Sequence, residues 1–166
     1  IIVEVGSGVD GWSVGEAVGF VTQHTESGSY AERVVRNPAS VVRKPAALSF
    51  AEGAALMHAG VCAWIGLIET AGVEAASRVL VHAGAGAIGG AAVQIAHRSG
   101  AWVAATCSAA NADYVRGLGA DRVIAYDQED FAETLSDIDV VFDLVGGTVH
   151  ARSHRVVVPG GIIVWL

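Results

Sequence analysis

The chain has 166 residues, 52% hydrophobic and 16% charged, enough apolar material to bury a core without disulfides or metals. Its net charge of −7 argues against nucleic acid or an anionic membrane as the main partner. Two cysteines, Cys62 and Cys107, sit among apolar neighbours and make no disulfide framework, which reads as reduced thiols and a cytoplasmic location. The mean hydropathy of +0.49 raises the question of a membrane span. The two charge-poor stretches, residues 53–68 and 79–97, are interrupted by His58 in the first and by His82, Gln94 and glycines in the second. Neither reads as a spanning helix of about 20 apolar residues, and no secretory signal opens the chain.

Taken in chain order, residues 1 to about 45 read as short β segments with turns at Gly6-Ser7-Gly8 and Asp10-Gly11, and residues 30–35 are strand-like. Ser49-Phe50-Ala51-Glu52 has capping-box spacing and opens an Ala-rich helix to about Ala71, with Gly72 as its stop. Strands and helices then alternate. Strands are expected at 79–82, 102–106, 122–125 and 140–144, with a fifth after the turn Pro159-Gly160-Gly161. Helices are expected at 88–98, 111–118, 129–135 and 148–156. Short apolar strands alternating with helices imply an α/β fold, a doubly wound parallel Rossmann sheet with right-handed crossovers. The chain opens and closes inside apolar runs, which reads as an internal piece of a longer protein lacking the last strand of this sheet.

The chemistry centres on Gly84-Ala85-Gly86-Ala87-Ile88-Gly89, placed directly between a strand and a helix. In that context the spacing is a dinucleotide-binding signal. Gly84 is expected to permit the tight turn, Gly86 to let the backbone approach a pyrophosphate, and Gly89 to let helix pack on strand. The helix N-terminus supplies N–H groups and a positive dipole end. An NAD site places an acidic residue about 20 residues later, at the end of the second strand. Here that loop is Cys107-Ser108-Ala109-Ala110-Asn111, with no carboxylate before Asp113. The small polar loop leaves room for a 2′-phosphate, so NADPH is the expected cofactor. The nearest cations are Arg116 and Arg122.

Several short segments together resemble the medium-chain dehydrogenase/reductase superfamily, in its zinc-independent quinone oxidoreductase (zeta-crystallin-like) branch. They include Val14-Gly15-Glu16-Ala17-Val18, Gly28-Ser29-Tyr30-Ala31-Glu32, Ala59-Gly60-Val61-Cys62-Ala63-Trp64, the glycine turn, Leu118-Gly119-Ala120-Asp121, Asp143-Leu144-Val145-Gly146-Gly147 and Pro159-Gly160-Gly161. The resemblance implies that residues 1–46 are the C-terminal part of a GroES-like catalytic domain and 47–166 most of an NAD(P)-binding domain. It implies that the 84–89 turn lines the pyrophosphate and that Ser108, Asn111 and Tyr126 surround the adenosine ribose and its phosphate. Val145, Gly146 and Cys62 would lie beside the nicotinamide. The implied activity is NADPH-dependent hydride transfer to a quinone or an α,β-unsaturated carbonyl, by a homodimer. Alternatives are an enoyl reductase module, a zinc-dependent alcohol dehydrogenase and a non-catalytic NADPH-binding protein. The sequence departs from the resemblance at Cys62, where Thr is frequent, at Ala75-Ala76 in place of a Pro-Gly turn, and at Trp165 in place of a small residue.

No metal centre is expected. Zinc-dependent relatives carry a cysteine-rich lobe where this chain has only residues 20–27, without one cysteine. His58 stands where zinc enzymes commonly have a cysteine ligand, but a helix-borne His at a domain boundary is the commoner case. His24, His82, His97, His150 and His154 read as solvated or capping. Asp143, ending a strand beside the cleft, is expected to accept hydrogen bonds from neighbouring loop N–H groups. No catalytic acid is assigned within the chain.

Overall fold

The computed structural model describes residues 1–22 and 28–166. They form two compact units, residues 1–58 and 59–166.

In the first unit, β1 (Val18–Phe20) pairs antiparallel with β2 (Val41–Arg43). Gly8 and Gly11 turn the chain with φ of 80° each, as the turn signals require. Residues 30–35 form no strand, contrary to expectation. Among the described residues they have no ladder partner, and Tyr30 and Val35 are fully exposed. β-branched composition favours a strand only where a neighbour supplies packing. The capping box forms as expected. Ser49 N–H donates to Glu52 Oε2 at 2.8 Å, and Glu52 N–H donates to Ser49 Oγ at 3.2 Å. It starts α1 (Phe50–Trp64), which widens into a π-helical turn over Ile65–Thr70 and stops at Gly72, φ 63°.

The resulting stretch, Phe50–Thr70, is 21 residues and by length and composition alone is able to cross a membrane. These are the bounds expected from the capping box and Gly72, but the apolar content of the whole stretch outweighs the interruption at His58 that argued against a span. A helix packed on a sheet meets the same test. Here Ala63, Gly66 and Leu67 are buried, and Gly66 lies so close to Phe142 that a Cβ would stand 2.4 Å from its ring.

The second unit is built on strict alternation. Along β3 (Arg78–Val81), Val79 and Val81 face one layer of the core and Leu80 the other. β4 (Trp102–Cys107) repeats this with Val103 and Ala105 against Ala104. β6 (Ile138–Asp143) does so with Val140 and Phe142 against Val141. With β5 (Arg122–Ala125) and β7 (Val157–Trp165) they form an all-parallel sheet in the order β5-β4-β3-β6-β7. Both faces are covered, as a parallel sheet demands. Val93 and Ala96 of α2 (Ala87–Arg98) and Val115 of α3 (Ala112–Gly117) join the first layer. Phe131 of α4 (Phe131–Thr134) joins the second, and α5 (Gly147–Ser153) follows β6. The expected Rossmann architecture is therefore present. One boundary differs. Pro159-Gly160-Gly161 does not precede the fifth strand but bulges out of it, since Val157 pairs with Ile138 and the ladder resumes at Ile162 opposite Val140.

Candidate functional site

The chain runs outward from β3 through β4 to β5, then returns to the other side of β3 for β6 and β7. The switch lies between β3 and β6, and ligands of such sheets bind beyond the carboxyl ends of the strands at that point. The glycine turn stands there. Its left-handed residue is Ala83, φ 55°, and not Gly84. Gly84 instead lacks a side chain for packing. A Cβ would come within 2.9 Å of Ala105 Cβ and 3.3 Å of Val115 Cγ1. Gly89 performs the expected role, since a Cβ would stand 2.1 Å from the Ala83 carbonyl oxygen and push α2 off β3. Gly86 caps α2 in extended geometry (φ −77°, ψ 170°) and offers no side-chain acceptor. Gly86 and Ala87 are exposed. The first-turn N–H groups of α2 thus face outward without a capping side chain, at the positive end of the helix dipole. Such a cradle fits a pyrophosphate.

A second corner, the one expected to receive an adenosine ribose, forms where β4 and β5 end. Asn111 Nδ2 donates to Ser108 Oγ at 3.1 Å across a 3₁₀ turn, Ala109–Asn111. Tyr126, its ring largely exposed, is fixed through its backbone N–H to the Cys107 carbonyl at 3.0 Å. Ser108, Asn111 and Tyr126 therefore do converge on one corner. A residue that sequence reasoning missed joins them, because Ala109 N–H donates to Asp127 Oδ1 at 2.9 Å. The parallel register Cys107↔Ala125 makes this meeting inevitable. The two nearby cations already face carboxylates, Arg116 with Asp113 at 2.5 Å and Arg122 with Glu129 at 2.8 Å. Buried at the end of β4, the Cys107 thiol has a raised pKa, chiefly from burial, then from Asp127, with Arg116 offsetting.

On the other side of the switch, Asp143 ends β6 fully buried. Its Oδ1 accepts the N–H groups of Val145 at 2.9 Å and Gly146 at 3.0 Å, as expected. Its Oδ2 meets His150 Nδ1 at 2.9 Å. Burial raises the Asp143 pKa, but the Gly146 and Val145 N–H groups and His150 outweigh it and hold the carboxyl below its ordinary value. The 144–147 loop is thereby fixed, with Gly146 and Gly147 both left-handed (φ 74° and 58°) and Val145 exposed. Trp165 Nε1 lies 3.4 Å from where a Gly146 Cβ would be, so the bulky indole flanks this loop. Cys62 is half-buried on α1.

His82 corrects the sequence reading most sharply. It is neither solvated nor capping but 1% exposed. Its Nδ1 meets Thr106 Oγ1 at 3.1 Å and its Nε2 meets Ser153 Oγ at 3.0 Å. Thr106 Oγ1 accepts the Ala83 N–H at 3.2 Å, and Ser153 Oγ donates to the Val149 carbonyl at 2.9 Å. One proton arrangement satisfies every group. Thr106 donates to Nδ1, and Nε2–H donates to Ser153. The neutral ring thus ties the glycine turn to α5. Burial pushes its pKa down to about 4, against a smaller opposing pull from Asp143. His150 is likewise no solvated residue, being bonded to Asp143. His154 stacks edge-on against it at 5.4 Å. His97 packs on Gly119, where a Cβ would approach its ring to 2.6 Å. His24 lies outside the described residues, as do the other positions of 23–27. Among the described residues no three His, Cys, Asp or Glu side chains are grouped to hold a metal ion.

Comparison with known proteins agrees with this geometry. The zinc-binding dehydrogenase family matches residues 87–166. A chloroplast envelope quinone oxidoreductase homolog of Arabidopsis thaliana is 37% identical over 149 residues, covering 87% of this chain and 45% of that protein. The quinone oxidoreductase of Coxiella burnetii superposes with a TM-score of 0.90 at 35% identity, over 97% of this chain and 51% of the other. The CurK enoyl reductase does so with a TM-score of 0.88 at 31% identity, over 98% and 50%. The chain spans about half the length of each. With a switch-point glycine cradle, a parallel β5-β4-β3-β6-β7 sheet and these relatives, the chain belongs to the medium-chain dehydrogenase/reductase superfamily and is quinone oxidoreductase-like.

Proposed function

We propose that the protein is a zinc-independent reductase acting on a quinone or an α,β-unsaturated carbonyl. The observation that carries this reading is the cradle at Gly86, an exposed, side-chain-free helix start held at the switch point by the Gly89 contact. Similarity to quinone oxidoreductases supports the substrate class. Bound there, a reduced nicotinamide dinucleotide supplies a hydride for transfer. NADPH is favoured by the room in the 108–111 loop. The first-turn N–H groups of α2 hold the pyrophosphate, and Ser108, Asn111 and Tyr126 flank the adenosine ribose. Val145 and Gly146, fixed by Asp143, border the nicotinamide together with Cys62. We further assign residues 1–46 to a GroES-like domain and 47–166 to the cofactor domain, in a cytoplasmic homodimer.

The test is turnover of NADPH with a panel of quinones, enones and enoyl thioesters, in metal-free buffer. Reduction of quinones or simple enones supports the proposal. Reduction of enoyl thioesters alone supports the second reading, an enoyl reductase module, which similarity to the CurK enoyl reductase favours. Tight nucleotide binding without turnover on any of them overturns both.

A further inference from the structure

The 108–111 loop read from sequence has no carboxylate, yet the fold delivers one to it. Asp127, eighteen residues after Ala109, accepts that residue's N–H through Oδ1 at 2.9 Å. Its Oδ2 has no hydrogen bond among the described residues. The surroundings do not neutralise it. Residues 108–130 contain five carboxylates (Asp113, Asp121, Asp127, Glu129, Asp130) and two cations (Arg116, Arg122). Each cation is paired, Arg116 with Asp113 and Arg122 with Glu129, while Asp130 binds Arg152. A buried probe of the field sits at the end of β4, where Asp127 perturbs the Cys107 thiol more than Arg116 does. The corner that receives an adenosine ribose in this fold is therefore anionic.

We infer that Asp127 sets dinucleotide selectivity in this domain, holding a carboxylate against the 2′-phosphate position and suppressing the NADPH preference that the loop's room allows. The inference rests on the cofactor reading proposed above. A 2′-hydroxyl can donate to a carboxylate, whereas a 2′-phosphate has only negative charge and acceptors to offer. The corner is exposed, so screening limits the effect, and a single carboxylate facing a doubly charged phosphate in water changes affinity by about tenfold.

The experiment is a paired NADPH and NADH fluorescence titration of the wild type, Asp127→Asn and Asp127→Lys. Asparagine keeps an Oδ1 acceptor for the Ala109 N–H, so the loop stays in place, and a urea midpoint matching the wild type reports that the fold is intact. The expected result is that Asp127→Asn moves the NADPH-to-NADH affinity ratio about tenfold toward NADPH, with Asp127→Lys moving it further. A ratio that stays within about threefold in both variants overturns the inference and leaves the cofactor reading standing. Failure of the wild type to bind either nucleotide overturns both together.

Discussion

His82 makes acid stability measurable residue by residue. In the unfolded chain its imidazole titrates near 6.5, and in the folded protein burial lowers this to about 4. The unfolded state therefore takes up the proton first as pH falls. Stability from this group is fully present above pH 6.5, declines between 6.5 and about 4, and changes no further below that. The full depression corresponds to roughly 3 kcal/mol, of which about 2 kcal/mol is lost by pH 5. Because His82 is 1% exposed, solvent screening does not reduce the figure much. Asp143, whose carboxyl titrates below its ordinary value, contributes a loss only at lower pH, outside this window. The perturbation is His82→Gln, which keeps polar atoms for Thr106 and Ser153 but cannot titrate. Urea midpoints at pH 7.5 and 5.0 give the comparison. The wild type should lose about 2 kcal/mol more than the variant over that interval. Equal losses would refute the argument that the buried ring is held neutral.

Three further outcomes follow from the turns. Gly89→Ala should cost about 3 kcal/mol or more in a urea titration, because a methyl 2.1 Å from the Ala83 oxygen outweighs the ~1 kcal/mol helix gain. Gly86→Ala meets only the Ala83 oxygen at 3.3 Å, so it should melt near the wild type yet lose dinucleotide affinity; unchanged binding would remove the pyrophosphate from that cradle. Ala76, exposed with φ 75°, carries left-handed strain, and Ala76→Gly should stabilise by roughly 0.5–1 kcal/mol after the entropic cost of glycine, seen calorimetrically as a Tm higher by about 2 °C.

What the sequence disclosed was whatever local chemistry dictates. The Ser49–Glu52 cap, the Gly72 stop, the alternation of strands with helices and the Asp143 contacts to Val145 and Gly146 all join residues within a few positions of one another. What escaped depends on register. Thr106 and Ser153 are 24 and 71 residues from His82, so nothing near His82 announces that its ring is buried between them. Asp127 reaches the 108–111 loop only because β4 and β5 pair with Cys107 opposite Ala125. The left-handed residue of the glycine turn falls on Ala83 because Gly84 is required against Ala105 and Val115. Residues 30–35 have strand composition, yet no partner satisfies their backbone among the described residues.

The bulge in β7 has a bearing on how this sheet meets other chains. Among the described residues β7 is paired on one side, by β6, and its other side is a template for further pairing, whether by more of this protein or by another chain. Here Pro159 has no N–H to offer, Gly160 turns back with φ 86°, and Gly161 folds over Asp139, where a Cβ would stand 2.8 Å from the carbonyl oxygen. Regular ladder geometry resumes only over residues 162–165. The next strand of the sheet, whichever chain segment supplies it, thus finds about 13 Å of regular template, so its pairing is confined to the stretch beyond the bulge.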